Sequence, residues 1–400
     1  MKGPIRLLRS GKISGQVNLG PLHEWLEGPA YLVIEQVSFN GTKGAVLCYY
    51  NPPVHQVGNP ALDAYLEGLD KVSQKKGLQF LLLCGANDPV HAGGDLKESL
   101  EKLDKTLSMK KEKEKTGAPA KEINQLYDWA DRRLEKGIGL HSRIRRLAQG
   151  LRVVAVCGGG TRFGGSAEIP LMADVLVGDS RSGMCFSEAM IGLLPGWSGV
   201  ARALVKAGLE NARTMALTGK EVKADKLKAI GIYNLVVDVP YSFPKMPKTD
   251  DPKADKAAYA EALEKNDEDT AMLLLPKGLE LATCHPEAVP SVEERATLAK
   301  GTELSNEVKR RSDPQTYAHL FGKPMKEVNE EVGRLGRPLA PQSVEALSAL
   351  FNSYDPSRFD EQAFVKREAE ADARLYRDPR FRAGLVSTLE QKVADYREAF

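Results

Sequence analysis

Two acidic residues and two glycine turns hold most of the chemical content of this sequence. Glu168 follows Gly164-Gly165-Ser166-Ala167, and Glu188 precedes the apolar run Ala189-Met190-Ile191-Gly192-Leu193-Leu194-Pro195-Gly196. Two carboxyl groups held close together repel and share one proton, so one acts as base while the other acts as acid. The turns are Ala92-Gly93-Gly94-Asp95 and Gly164-Gly165-Ser166. Glycine has no Cβ, so its amide approaches a ligand closely. Two such amides at one edge of a parallel sheet would converge on a single oxygen. That is an oxyanion hole, suited to a thioester carbonyl that becomes an enolate. Each glutamate taken singly fits a helix-start carboxylate held by the helix dipole; together with the two turns, the pair points to chemistry.

Two other glycine patterns compete. Gly158 and Gly160 match the first two positions of a G-x-G-x-x-G dinucleotide loop, but Phe163 stands at the third. Gly196-Trp197-Ser198-Gly199 approximates a G-x-S-x-G nucleophile elbow with its last glycine one position early.

Elements that position these residues follow from hydrophobic spacing. Tyr31 to Val37 and Gly44 to Tyr50 read as strands joined through Asn40-Gly41. Leu62, Leu66 and Leu69 recur at helical spacing, and Gln79 to Cys84 is a buried strand. Glu98 to Lys115 is a charged helix whose alternating signs suit a solvated face, and Gly117-Ala118-Pro119 ends it. A helix from Lys121 to Ala148 leads to a strand at Arg152 to Cys157, and a further helix runs through Met172. Asp174 to Gly178 is a strand, Gly199 to Ala207 and Glu210 to Leu217 are helices, and Ile232 to Val239 is the last strand. Gly219 suits a helix C-cap. Such alternation predicts a mostly parallel sheet covered by helices. Past Pro240 a Pro-, Lys- and Asp-rich linker gives way at Lys253 to helical patterns that fill the chain to Phe400.

Composition bounds the function. The 400 residues are 42% hydrophobic and 28% charged, an ordinary globular balance. With 56 Lys plus Arg against 54 Asp plus Glu, the net charge of +2 supplies no global field for nucleic acid or a membrane surface. Cys48, Cys84, Cys157, Cys185 and Cys284 are far apart and odd in number, which predicts reduced thiols, a cytoplasmic location and no metal site. Met1-Lys2-Gly3-Pro4-Ile5-Arg6 lacks the apolar run of a secretion signal, and no stretch reaches the length of a membrane span.

At these residues the sequence resembles the crotonase (enoyl-CoA hydratase/isomerase) superfamily. Cys84-Gly85-Ala86 through Gly93-Gly94-Asp95-Leu96-Lys97 is similar to the family's first oxyanion motif, and Gly164-Gly165-Ser166-Ala167-Glu168-Ile169 to its second. Phe186-Ser187-Glu188 through Leu194-Pro195-Gly196 is similar to the segment with the second glutamate. Thr218-Gly219-Lys220 with Gly231-Ile232-Tyr233-Asn234, and the tail with Asp378-Pro379 and Leu389-Glu390-Gln391-Lys392, complete the match. The resemblance covers about residues 28–240 and 340–400. It implies an α/β, crotonase-like ββα spiral core over 1–240 with an inserted charged segment near 100–118, a helical insertion over 241–338, and a helical C-terminal region over 339–400.

The resemblance also implies a chemistry. Gly94 and Gly165 would form the oxyanion hole, Glu168 and Glu188 would be catalytic, and Ala92, Lys97, His55, His91 and Trp197 would contact substrate. Coenzyme A would be part of an acyl-CoA substrate, with no separate cofactor and no metal. The assembly would be a homo-trimer or homo-hexamer. Hydration of an α,β-unsaturated acyl-CoA leads, with a bulky or cyclic acyl group within reach. Isomerisation, hydrolysis of a cyclic acyl-CoA, and a non-catalytic acyl-CoA-binding subunit are the alternatives. Asp88-Pro89 stands where the family often has a basic residue for the nucleotide phosphates, a role left to Lys97 or Lys392.

Overall fold

A computed structural model describes residues 17–26, 31–50, 56–85, 93–240, 242–288, 295–299 and 301–397. Its strands are β1 (Val17–Leu26), β2 (Tyr31–Phe39), β3 (Thr42–Tyr50), β4 (Phe80–Gly85), β5 (Arg152–Cys157), β6 (Thr161–Phe163), β7 (Val175–Asp179), β8 (Gly183–Cys185), β9 (Val222–Lys223) and β10 (Leu235–Val237). The helices that matter for the site are α1 (Asn59–Ser73), α2 (Leu96–Lys115), α3 (Asp128–Leu147), α4 (Gly165–Leu171), α5 (Gly199–Ala207), α6 (Pro252–Thr283) and α7 (Glu361–Leu375).

The main sheet has the order β1-β2-β3-β4-β5-β7-β10, and a second sheet has the order β6-β8-β9. β1, β2 and β3 pair antiparallel. From β3 onward the sheet is parallel. Asn40, at φ 50°, and Gly41, at φ 82°, make the predicted turn between β2 and β3, as a two-residue hairpin requires.

The chain divides into two compact units. The first comprises Met1–Gly93, Leu140–Met184 and Glu221–Ala296; the second comprises Gly94–Gly139, Cys185–Lys220 and Thr297–Phe400. In the first unit, alternate residues of the strands form one apolar face: Val46 and Cys48, Phe80 and Leu82, Val154 and Val156, Val175 and Val177. That period of two is the pleat of a sheet. Helix α6 covers this face with Leu274, Leu275, Leu279, Leu281 and Ala282. Gly278 permits the close approach, because a Cβ there would lie 2.6 Å from Val156 Cγ2 and 2.9 Å from Leu82 Cδ1. Asp251 caps the start of α6 by accepting from the Lys253 and Ala254 amides. At its other end Arg152 donates to the carbonyls of Leu281 (3.1 Å) and Cys284 (2.6 Å), where a cation also meets the negative end of the helix dipole.

The helix expected from Lys121 to Ala148 is interrupted. A short helix ends at Gln125 before α3 begins. The Leu126 carbonyl accepts from the Thr106 hydroxyl at 3.1 Å, while the Ala130 amide turns to Tyr127 at 2.8 Å. The strand expected over Ile232 to Val239 shortens to Leu235–Val237. The amides of Ile232 and Tyr233 bond back to the Leu227 carbonyl, and the Val239 amide goes to the Ser180 hydroxyl. Among the described residues no helix is long and apolar enough to cross a membrane.

Candidate active site

Gly165 and Glu168 lie in the first unit, and Gly94, Lys97, Glu188 and Trp197 lie in the second. His55, His91 and Ala92 fall outside the described residues. Each half of the candidate site is therefore built up by itself.

In the first unit the two predicted glycine turns come together. A Cβ on Gly93 would lie 2.5 Å from the Phe163 carbonyl oxygen and 3.6 Å from Gly164 Cα. Only glycine admits that approach of backbone to backbone. The Gly93 carbonyl also accepts from the Val57 amide at 3.1 Å. Gly164 has φ 52° and ψ −129°, a conformation that favours glycine. It starts α4 by accepting from the Ala167 and Glu168 amides at 2.7 and 3.0 Å. Gly165 is thus the first residue of a helix whose leading amides have no intrahelical acceptor. Glu168, one turn on, is 3% exposed. Pro170 sits inside α4, and the helix ends at Leu171.

A small cavity of about 40 Å³ adjoins the start of α4. Ser166, Ile169 and Pro170 line it together with Cys84, Arg162, Tyr49 and Tyr65. It has room for about one or two waters. The Tyr49 hydroxyl donates to the Gln56 carbonyl. Burial first, then the neighbouring Tyr49, Cys84 and Cys48, hold the Tyr65 phenol well above its ordinary pKa, against a smaller opposing effect of Arg162. Tyr65 is therefore a neutral hydroxyl at the wall of this cavity.

The competing glycine motifs have other work. The Gly159 amide donates at 2.8 Å to Asp179, which is fully buried and also accepts from the Arg181 amide and guanidinium. A carboxylate already fills the place a dinucleotide phosphate would need. At the would-be nucleophile elbow, Ser198 is fully buried and left-handed at φ 81°. The helix-start amides of Val200 and Ala201, which an elbow would offer to an anionic intermediate, donate instead to Glu368 at 3.4 and 2.9 Å.

In the second unit, Asp95 caps α2 by accepting from the Lys97 and Glu98 amides at 3.0 Å. Gly94 immediately precedes that cap. The Lys97 side chain is exposed. Lys392 pairs with Glu390 at 2.7 Å. Glu188 is 7% exposed and opens a 3₁₀ turn. Its carbonyl accepts from the amides of Ile191 (2.9 Å) and Leu193 (3.0 Å). The next amide, Leu194, donates to Asp372 at 3.0 Å. A Cβ on Gly196 would lie 2.5 Å from Asp372 Oδ2. Asp372 and Glu368 are one turn apart on α7, and both are buried. They grip the segment after Glu188 at its start and its end. Between those points Trp197 packs on Gly137 of α3, one turn from Arg133, whose guanidinium lies 5.4 Å from the indole centroid.

Arg133, Glu368 and Asp372 carry no motif of their own. The one signal in the sequence is an acidic pair at i, i+4 on a helix whose neighbouring positions are apolar. Such a pair reads as an exposed face until something buries it.

Comparison with known proteins follows the same lines. Residues 135–240 match the family described as Enoyl-CoA hydratase/isomerase. Among solved structures, an enoyl-CoA hydratase from Rhodobacter sphaeroides 2.4.1 superposes with a TM-score of 0.52 at 14% identity, covering 90% of this chain and 89% of that one. One from Mycobacterium avium subsp. paratuberculosis K-10 gives 0.46 at 13% identity, covering 88% and 95%. The family match spans β5 through β10, the segment that holds Gly165, Glu168 and Glu188. Residues 135–240 are thus similar to that family, and the α/β fold is similar to that of the Rhodobacter sphaeroides structure.

Proposed function

We propose that the protein is a lyase that adds water across the double bond of an α,β-unsaturated acyl-CoA thioester. The observation that supports this most is the pair of buried carboxyl groups at the two family glutamate positions, Glu168 at 3% and Glu188 at 7% exposure. Two carboxyl groups that faced one water would favour a single shared proton. In the proposed reaction one carboxylate takes a proton from water as the oxygen bonds to C3. The electron pair of the C2–C3 double bond moves toward the thioester, and the negative charge collects on its oxygen. The Gly94 and Gly165 amides receive that charge, with α4 adding the positive end of its dipole. The other carboxyl group then delivers its proton to C2. Water is consumed, and a 3-hydroxyacyl-CoA is formed.

Incubation with straight-chain and cyclic enoyl-CoAs, followed by product mass, tests the proposal. Hydration adds one water without a new carboxylate, ring hydrolysis adds water and a carboxylate, and isomerisation leaves the mass unchanged. E168Q and E188Q should each lower turnover by about 10²–10⁴-fold, the usual worth of a positioned acid or base, while thioester affinity changes little. Unchanged hydration by both variants refutes the two-carboxylate mechanism. The proposal extends to a cytoplasmic homo-trimer or homo-hexamer, which light scattering of the purified chain checks.

A further inference from the structure

We infer that Arg133 is a positioning residue for the Gly94 amide and places a guanidinium charge beside it. The inference rests on the proposed role of Gly94 as an oxyanion donor. It starts from a close approach within the second unit: a Cβ on Gly94 would lie 2.5 Å from Arg133 Nη2. The guanidinium occupies the space a side chain at position 94 would take. Arg133 is itself 4% exposed, so its position is set by packing and not by solvent.

Two contacts fix it there. Its guanidinium lies over the Trp197 ring, a placement that attracts a cation to the π face. Trp197 is in turn seated on Gly137, one helical turn along α3. A continuous line of contacts thus runs from the segment after Glu188, through Trp197 and Arg133, to Gly94.

The Arg133 guanidinium stands beside Gly94. A carboxylate oxygen of Glu98 lies 3.9 Å from the guanidinium, and Lys102 holds the same carboxylate at 2.6 Å. Asp95 spends its side-chain oxygen on the Lys97 and Glu98 amides. The guanidinium beside the amide acts toward negative charge on an oxygen bound there. In a buried setting such fixed charge polarises a bound carbonyl without reorganisation.

Cinnamoyl-CoA tests this. Its conjugated thioester absorbs in the near ultraviolet, and polarisation of the carbonyl moves the band to longer wavelength. The wild-type protein should bind it with a red shift. R133Q should retain affinity within about 3-fold yet lose most of the shift, and should lower kcat about 10–100-fold with little change in KM. R133K keeps the charge but not the planar stack on Trp197, and should restore part of the shift. A red shift in R133Q equal to that of the wild type overturns the inference. If R133Q fails to fold, R133K decides: a folded R133K with an undiminished shift and undiminished kcat shows that the planar guanidinium does not position Gly94. Binding of the probe by the wild type without any shift instead refutes the oxyanion proposal itself, and the role of Arg133 falls with it.

Discussion

Gly93→Ala should injure both the fold of the first unit and its chemistry. The new Cβ would lie 2.5 Å from the Phe163 carbonyl oxygen and 3.0 Å from its carbon, against an ordinary contact that begins near 3.4 Å. Both partners are backbone. No rotamer change relieves the clash, so one of the two turns must shift by roughly 1 Å. Overpacking of this kind costs about 1–3 kcal/mol. For a unit of this size that is a fall of about 4–8 °C in melting temperature at the middle of the range. The displacement falls on Phe163 and Gly164, which start α4 and so set the Gly165 amide and Glu168. A misplacement of about 1 Å can lower turnover about 10²-fold. Gly150→Ala is the control, since nothing lies within 4 Å of its added Cβ. Differential scanning calorimetry and enoyl-CoA hydration are measured on both variants. If G93A melts and turns over like G150A, the two turns do not support one another and the close approach has no functional meaning.

Asp372→Ala should cost about 1–3 kcal/mol, because the buried Leu194 amide loses its acceptor, and hydrogen exchange at Leu194 and its neighbours reports it. Gly278→Leu should destabilise the first unit by more than Gly278→Ala in urea titrations, because Val156 and Leu82 already meet the smaller Cβ at under 3 Å. For Glu307, burial raises the carboxyl pKa, but hydrogen bonds from Lys220 and Arg311 outweigh it, and the net shift is downward. A carboxyl depressed in the folded state stabilises it above the unfolded pKa and loses that contribution as pH falls through the folded value. The stability gap between the wild type and E307Q should therefore be full near neutrality and close below about pH 4; a gap that widens on acidification refutes the ion-pair account.

The sequence made the sheet legible because parallel strands buried on both faces read as apolar runs. Gln79 to Cys84, Arg152 to Cys157 and Asp174 to Gly178 all sit within a residue or two of β4, β5 and β7. The family match in turn covers the second glycine turn and both glutamates. What stayed hidden depends on partners distant in the chain. The break at Leu126 needs a hydroxyl from Thr106. The clamp on the segment after Glu188 needs Asp372, far along the chain. Helix α6 looked like part of an insertion after a linker, because its helical period does not say what lies beneath it. Leu274, Leu275 and Leu279 show that it supplies half of an apolar layer whose other half is the sheet.

The chain also discriminates among its own glycine turns and helix starts, and that discrimination bears on which of them is chemical. An exposed row of amides at a helix start or tight turn attracts an anion. At Gly159 the anion is Asp179; at the start of α5 it is Glu368; at the starts of α2 and α6 it is the capping aspartate of each. In each case a carboxylate from the chain itself satisfies the donor, so an incoming oxyanion would have to displace a negative charge that is already well held. Helix α4 is built differently. Its cap is Gly164, which has no side chain with which to cap, and Glu168 in its first turn is buried. A structural helix gains about 1 kcal/mol from an ordinary Ser, Thr, Asp or Asn cap. Helix α4 goes without that gain, as α1 also does behind Gly58, and an uncapped start at Gly165 accords with the transient ligand charge proposed there.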